Sequence, residues 1–223
     1  MPTALDLDQR VAAGRPLLRG WIHAAAFVAM AVGGPIQIVR AQGPGDQAAL
    51  AVYTLSMLSL FGVSAAFHRV RWQQAARRRM RRADHSTIFV GIAGSYTAIA
   101  VLALKSWAEV LVLCVVWIGG GVGIALRQLW LDAPKWAIAL PYVVVGWCAL
   151  AVMPQLWRGL GGAGAGLVLG GGIAYTLGAT VYSMRRPDPF PRVFGYHEVF
   201  HAFTVVGAAL QYAVVSAYAL RTH

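Results

Sequence analysis

Two histidines near the C-terminus lie in the pattern His197-Glu198-Val199-Phe200-His201, which opens the last apolar run of the chain. On an α-helix, residues four apart lie one turn above each other on the same face. His197 and His201 could therefore bind one metal ion. Zinc takes at least three protein ligands in most sites, and a catalytic zinc leaves one position for water. The spacing thus predicts a metal site that needs a third ligand from elsewhere in the chain.

The same five residues fit the H-E-x-x-H signature of zinc proteases, in which the glutamate acts as the general base. An intramembrane metalloprotease is therefore an alternative interpretation. Glu198 lies about 100° around the helix from His197, so it also fits a role beside the site rather than at the metal.

The elements that must position these residues are predicted to be membrane-spanning helices. The chain has 223 residues, of which 58% are hydrophobic and 12% are charged, whereas a soluble domain carries roughly 25% charged residues. The apolar residues form continuous, non-alternating runs near the ~20 residues that cross a bilayer, which favours helices over a barrel. We predict an all-α integral membrane protein with a polar cytoplasmic leader over residues 1–17 and a seven-helix transmembrane domain over residues 18–223. The predicted spans are 18–39, 47–67, 84–104, 108–128, 134–153, 163–184 and 194–220.

The basic residues predict the orientation of this domain. With seven spans, fifteen of the 19 Lys and Arg residues fall on the side of the N-terminus and four on the other side. Because Lys and Arg are enriched in cytoplasmic loops, the N-terminus is predicted to be cytoplasmic and the C-terminus to lie outside. The same rule accounts for the net charge of +11, so no nucleic-acid partner is expected. The Arg-rich stretch Arg69–Arg82 is predicted to contact anionic lipid headgroups, with RNA or a partner protein as the alternative.

This topology brings further polar residues to the depth of the histidine pair. His68 ends the second span on the cytoplasmic side, and Asp84 begins the third span on that side. Ser64 lies four residues before His68 and shares its helix face. A charge inside a bilayer costs at least about 2.5 kcal/mol, so a carboxylate at a span end is expected to have a specific role. Three histidines, an aspartate and a serine from three helices therefore predict a metal site near the cytoplasmic face.

Three other polar residues are expected to support this site rather than form it. Glu198 and His85 are predicted to lie around the metal ligands without binding the metal. His23, just inside the first span, is expected to make a structural hydrogen bond.

The stretches Ser64–His68, Asp84–Thr97 and His197–His201 resemble the hemolysin III family, bacterial relatives of the adiponectin and progestin receptors and, more distantly, of alkaline ceramidases. The resemblance covers nearly the whole chain. It implies a multi-pass protein of the bacterial plasma (inner) membrane. The chain departs from the family pattern at Phe67, Ala98 and Gln211.

The resemblance also implies a zinc site with His68, His197 and His201 as its ligands. Asp84 would hold the attacking water and Ser64 would lie beside it. It implies hydrolysis of lipid amides such as ceramides, with membrane lipids as partners. On this hypothesis Asp84 accepts a proton and Ser64 stabilises an oxyanion. A structural zinc in a receptor-like protein and a pore-forming haemolysin remain alternatives, and the sequence does not determine the oligomeric state.

Overall fold

The computed structural model describes residues 16–130 and 135–219. Within these residues the chain forms seven α-helices and one short 3-10 helix, and it contains no β-strand. The helices are α1 (Trp21–Arg40), α2 (Pro44–Arg69), α3 (Gln74–Ala103), α4 (Trp107–Leu129), α5 (Lys135–Gly146), the 3-10 helix Cys148–Val152, α6 (Met153–Met184) and α7 (Tyr196–Ala219).

Six helical segments in the described residues are long and apolar enough to cross a membrane. Five of them correspond to α1, α2, α3, α4 and α7, and the sixth is the stretch Pro141–Met184. Their outer surfaces carry exposed apolar side chains such as Val28, Val32 and Ile118, as expected where the neighbours are lipid tails rather than water. The all-α, multi-pass class predicted from composition is therefore confirmed at the level of six apolar helices.

The helices pack in chain order and close on themselves. Each helix from α1 to α4 packs against the next, α6 packs against α7, and α7 returns to contact both α1 and α3. Tyr53 and Met57 of α2 are fully buried at the centre of this arrangement. This closure brings the N-terminal end of α7 beside the C-terminal end of α2 and the first half of α3.

Three predicted boundaries differ clearly from the structure. α5 ends at Gly146 rather than at residue 153, and the 3-10 helix Cys148–Val152 follows it. α3 begins at Gln74 rather than at residue 84, so the Arg-rich stretch before Asp84 is largely helical. Arg and Ala are good helix formers, and a helix can extend beyond the bilayer into the headgroup region. α6 begins at Met153 rather than at residue 163, and it is broken at Gly161, whose φ of 74° is in the left-handed region that favours glycine.

The predicted leader, residues 1–17, lies mostly outside the described residues. Its last residues join the loop before α7, because Leu17 N donates to Arg192 O at 3.0 Å and Leu18 N donates to Val193 O at 3.1 Å. This pairing fixes the start of α1 against the start of α7.

Candidate metal centre

Three imidazoles meet where the end of α2 faces the start of α7. The ligand atoms of His68, His197 and His201 all lie within 4.8 Å of one another. The Nε2 atoms of His68 and His197 are 3.2 Å apart. The ring centroids of His197 and His201 are 4.6 Å apart, as expected for residues one turn apart on one helix face. The structure thus brings together the three histidines that the sequence analysis singled out.

This donor set fits a zinc ion. Two nitrogens at about 2.0–2.1 Å from one tetrahedral zinc lie roughly 3.3 Å from each other, close to the His68–His197 separation. Within the described residues, the buried Nδ1 of His201 has no hydrogen-bond partner. A buried ring nitrogen without a partner is costly unless something binds it. Three neutral imidazoles are also ligands that zinc prefers. The cluster could therefore hold a divalent metal ion.

Asp84 and Ser64 lie together beside the histidines. Both side chains are buried and line the same cavity. Asp84 comes from α3 and Ser64 from α2, one turn before His68. A buried carboxylate has acceptor capacity for several donors, such as a hydroxyl group, a water or an amide N–H.

A cavity of about 140 Å³ connects these groups to the interior of the bundle. Its wall includes Ser64, Asp84, His197 and His201 at one end and Gln211 at the other. His201 and Gln211 are ten residues apart on α7, about 15 Å along the helix axis. Most of the remaining lining side chains are apolar or aromatic, so the cavity suits a ligand with one polar end and an apolar body.

Glu198 points away from the three imidazoles. It is 0% exposed and forms an ion pair with Arg19. Its Oε2 also accepts a hydrogen bond of 2.9 Å from the backbone N–H of Gly195, just before α7 begins. A glutamate at the third helical position that reaches back to the residue before the helix is a capping arrangement. Neither partner is a candidate metal ligand, because Gly195 precedes α7 and Arg19 precedes α1.

His85 lines the same cavity as Asp84, but its hydrogen-bond partner is not one of the three clustered histidines. Nε of Arg127 in α4 donates to His85 Nδ1 at 2.7 Å. Arg127 is only 4% exposed. Arg127 lies inside the end of the predicted span 108–128, and a basic residue in such a position is a signal of a specific partner.

His23 was expected to make a structural hydrogen bond, and this was wrong. Within the described part of the chain, neither of its buried ring nitrogens has a hydrogen-bond partner. Its ring instead stacks on His201, with centroids 3.8 Å apart and planes 7° from parallel. The sequence contained no signal for this contact, because it depends on how α1 is rotated against α7.

Comparison with known proteins identifies the family of the chain. The model of the family described as haemolysin-III related matches residues 12–212. The chain is 28% identical over 190 residues to Hemolysin-3 of Bacillus cereus, covering 84% of each chain. It is also 28% identical over 176 residues to the Hemolysin-3 homolog of Bacillus subtilis (strain 168), covering 79% of each chain. The resemblance inferred from the motifs is thereby confirmed, and the chain belongs to the haemolysin-III-related family.

Proposed function

We propose that this protein is a zinc-dependent hydrolase of lipid amides whose site lies near the cytoplasmic face of the membrane. The observation that carries the proposal is that two of the three clustered histidines, His197 and His201, line a largely apolar cavity together with Asp84 and Ser64. A metal-binding cluster beside a buried acid is the arrangement that metal-assisted hydrolysis requires. The apolar cavity suits a lipid rather than a water-soluble substrate.

His68, His197 and His201 would hold the metal in this mechanism. Zinc, when bound, supplies Lewis acidity that activates water near neutral pH and polarises a carbonyl group. Asp84 accepts a proton from the attacking water and returns it to the leaving amine. Ser64 donates a hydrogen bond, first to Asp84 and then to the developing oxyanion. The apolar wall excludes bulk water from these groups, which strengthens each of these electrostatic interactions.

The contacts of Glu198 favour this assignment over an intramembrane protease. In the protease reading Glu198 is the general base, which would need to face the water at the metal. Its carboxylate is instead paired with Arg19 and with the Gly195 N–H. Asp84, on a different helix, is the acid that shares the cavity with His197 and His201.

We further propose seven membrane crossings with a cytoplasmic N-terminus and an external C-terminus. The contacts of the segment from Tyr142 to Gly159 support this count. The Tyr142 hydroxyl binds the backbone oxygen of His85 at 3.0 Å, whereas Gly159 lies against the backbone of Ala103. His85 and Ala103 are separated by about 27 Å along α3, close to the ~30 Å hydrocarbon thickness. The distance between these two contacts matches the length of one crossing. The part of α6 after the break at Gly161 would then form the next crossing and return to the histidine cluster.

The protein is proposed to reside in the bacterial plasma (inner) membrane, with membrane lipids as its partners. The first two turns of α3 carry the exposed residues Arg77, Arg78 and Arg79. They extend α3 about 10 Å beyond Asp84 toward the proposed cytoplasmic side. Basic residues in this position attract anionic headgroups by about 1 kcal/mol each.

The proposal is tested by metal analysis and lipid hydrolysis with purified protein in lipid nanodiscs. We expect one zinc per chain in the wild type and a loss of zinc in His197→Ala and His201→Ala. Asp84→Asn should retain zinc but lower the hydrolysis of a short-chain N-acyl sphingosine by about 10²- to 10⁴-fold. Asp46→Asn, at the opposite end of α2, is the matched control and should behave as the wild type.

Three results would contradict parts of this proposal. If purified wild-type protein contains no zinc, the proposed metal site is wrong. If Asp84→Asn hydrolyses the lipid amide at the wild-type rate, Asp84 is not the general base. Zinc binding without turnover of any lipid amide, together with lower thermal stability in the histidine variants, would favour a structural zinc in a receptor-like protein.

Cytolysis is a second candidate function, because both relatives carry the name hemolysin. Purified protein added to dye-loaded vesicles would then release the dye. No release at protein concentrations that saturate the vesicles would exclude a pore formed by this protein alone.

A further inference from the structure

The hydrogen bond between Arg127 and His85 determines which nitrogen of His85 carries a proton. Arg127 Nε donates to His85 Nδ1 at 2.7 Å. A guanidinium group has only donors, so Nδ1 must act as the acceptor and carry no hydrogen. An imidazole with an unprotonated Nδ1 is neutral, and its one proton is on Nε2. His85 is therefore held as an Nε2–H donor.

Neighbouring helices fix this arrangement on several sides. Arg127 Nη1 also donates to the backbone oxygen of Trp130 at 3.0 Å, which orients the guanidinium plane. The Tyr142 hydroxyl of α5 donates to the His85 backbone oxygen at 3.0 Å. In addition, Gln128 Nε2 donates to Ser86 Oγ at 3.0 Å, which joins α4 to α3 one residue further along. The ring of His85 thus has a defined position between three helices.

His85 is part of the cavity wall, together with Tyr142, Asp84 and Ser64. The two nitrogens of an imidazole point in nearly opposite directions, so an Nδ1 directed at α4 leaves Nε2 directed away from α4. Arg127 itself is not among the residues of the cavity wall.

We propose that His85 donates its Nε2–H to an acceptor oxygen of the lipid amide, and that Arg127 positions it for this purpose. This inference rests on the proposed function. Asp84 and Ser64 interact with the attacking water and the oxyanion, and Asp84 as a carboxylate accepts hydrogen bonds without donating them. An amide lipid also carries carbonyl and hydroxyl oxygens that need donors inside an apolar cavity. His85 supplies such a donor, and the guanidinium group behind it polarises the ring and strengthens the N–H.

The tautomer is tested first, independently of turnover, by ¹⁵N NMR of histidine-labelled protein in nanodiscs. We expect His85 to give a neutral Nε2–H signal, which is assigned to this residue because it disappears in His85→Gln. In Arg127→Met the preference for Nε2–H should be lost, whereas Gln128→Leu, which removes a neighbouring α3–α4 bond, should leave the signal unchanged. An Nδ1–H tautomer or a doubly protonated ring in the wild type at neutral pH would overturn the proposal.

Binding is tested next with N-hexanoyl sphingosine as the probe. The Nε2 signal of His85 should shift when the probe is added to wild-type protein, even if the amide is not hydrolysed. This separates the role of His85 from the proposed hydrolase activity. A saturating amount of probe that shifts the ring signals of His197 or His201, which line the same cavity, but not those of His85 would overturn the proposal.

Two substitutions at position 85 separate a binding role from a structural one. Asparagine places its amide near the Nδ1 position, so His85→Asn keeps an acceptor for Arg127 but loses the donor into the cavity. Glutamine places its amide near the Nε2 position and keeps that donor. Probe affinity, and kcat/KM where turnover occurs, should fall about tenfold to a hundredfold in His85→Asn and should recover at least partly in His85→Gln. Equal behaviour of the two variants would overturn the proposal.

Discussion

Glu198 stabilises the start of α7, although its place in the H-E-x-x-H motif suggests a catalytic role. Its carboxylate pairs with Arg19 and accepts the Gly195 N–H, while Asp188 Oδ1 accepts the Tyr196 N–H at 2.8 Å. Two of the unpaired N–H groups at the start of α7 are thereby satisfied. A negative charge at this end also interacts favourably with the helix dipole. His197 and His201 depend on Glu198 through the geometry of the helix start that carries them.

Glu198→Gln is expected to keep zinc and hydrolysis but to lower stability. Glutamine also caps a helix from the third position, although it replaces a charged bond to Arg19 by a neutral one. The loss should be about 1–2 kcal/mol, visible as a lower midpoint of thermal unfolding. Glu109→Gln, in the first turn of α4, is the control. A loss of hydrolysis of about 100-fold or more, with zinc retained, would instead make Glu198 a general base.

Gly20 permits a close approach between α1 and a proposed metal ligand. Its φ is 81°, and a Cβ built on it would lie 2.9 Å from the Cβ of His68. Both the backbone conformation and the contact exclude a larger residue. Gly20 therefore contributes to the position of His68 without being one of the proposed metal ligands.

Gly20→Ala is expected to lower both stability and zinc affinity. A left-handed conformation costs about 1–2 kcal/mol for a residue with a Cβ, and the new methyl group must displace His68. Gly45→Ala is the matched control, because a Cβ there meets nothing within 4 Å. Zinc titration and thermal unfolding check the outcome. Equal zinc affinity in the two variants would show that Gly20 has no influence on the site.

At the scale of the elements, the break in α6 separates a first part, which packs against the end of α3, from the rest of the helix. Gly161 interrupts the helix, and Gly159 lies so close to Ala103 that a Cβ would collide with the Ala103 backbone. Small residues of this kind let helix backbones approach each other in membranes. The first part of α6 is thus held against the end of α3.

Gly159→Ala and Gly166→Ala are expected to change stability in opposite directions. In Gly159→Ala the new methyl group collides with the backbone of α3, which should lower the free energy of unfolding by about 1–3 kcal/mol. At Gly166 a Cβ meets nothing within 4 Å, so alanine should stabilise the helix by about 0.5–1 kcal/mol. Thermal unfolding in one detergent compares the two. A stabilising Gly159→Ala would contradict the close packing of α6 on α3.

At the scale of the whole molecule, the number of crossings fixes which side of the membrane each end occupies. Alkaline phosphatase fused after a chosen residue is active only outside the cytoplasm, where its disulfides form. We expect activity after Ala219 and after Lys105, and none after Arg192. A single crossing over Pro141–Met184 would exchange the results for Ala219 and Arg192 while leaving Lys105 active. Inactivity after Lys105 would reverse the proposed orientation.

The sequence by itself determined the membrane class, most helix boundaries and the shared face of His197 and His201. These features follow from composition, run length and helical period, which are local properties of the chain. It also indicated that His68, Ser64 and Asp84 would lie at the same depth, because depth follows from the ends of the spans. Only the tertiary structure decided that Glu198 faces Arg19, that His85 faces Arg127 and that His23 stacks on His201. Those contacts depend on the rotation of each helix about its axis and on packing between distant residues, neither of which a local pattern encodes.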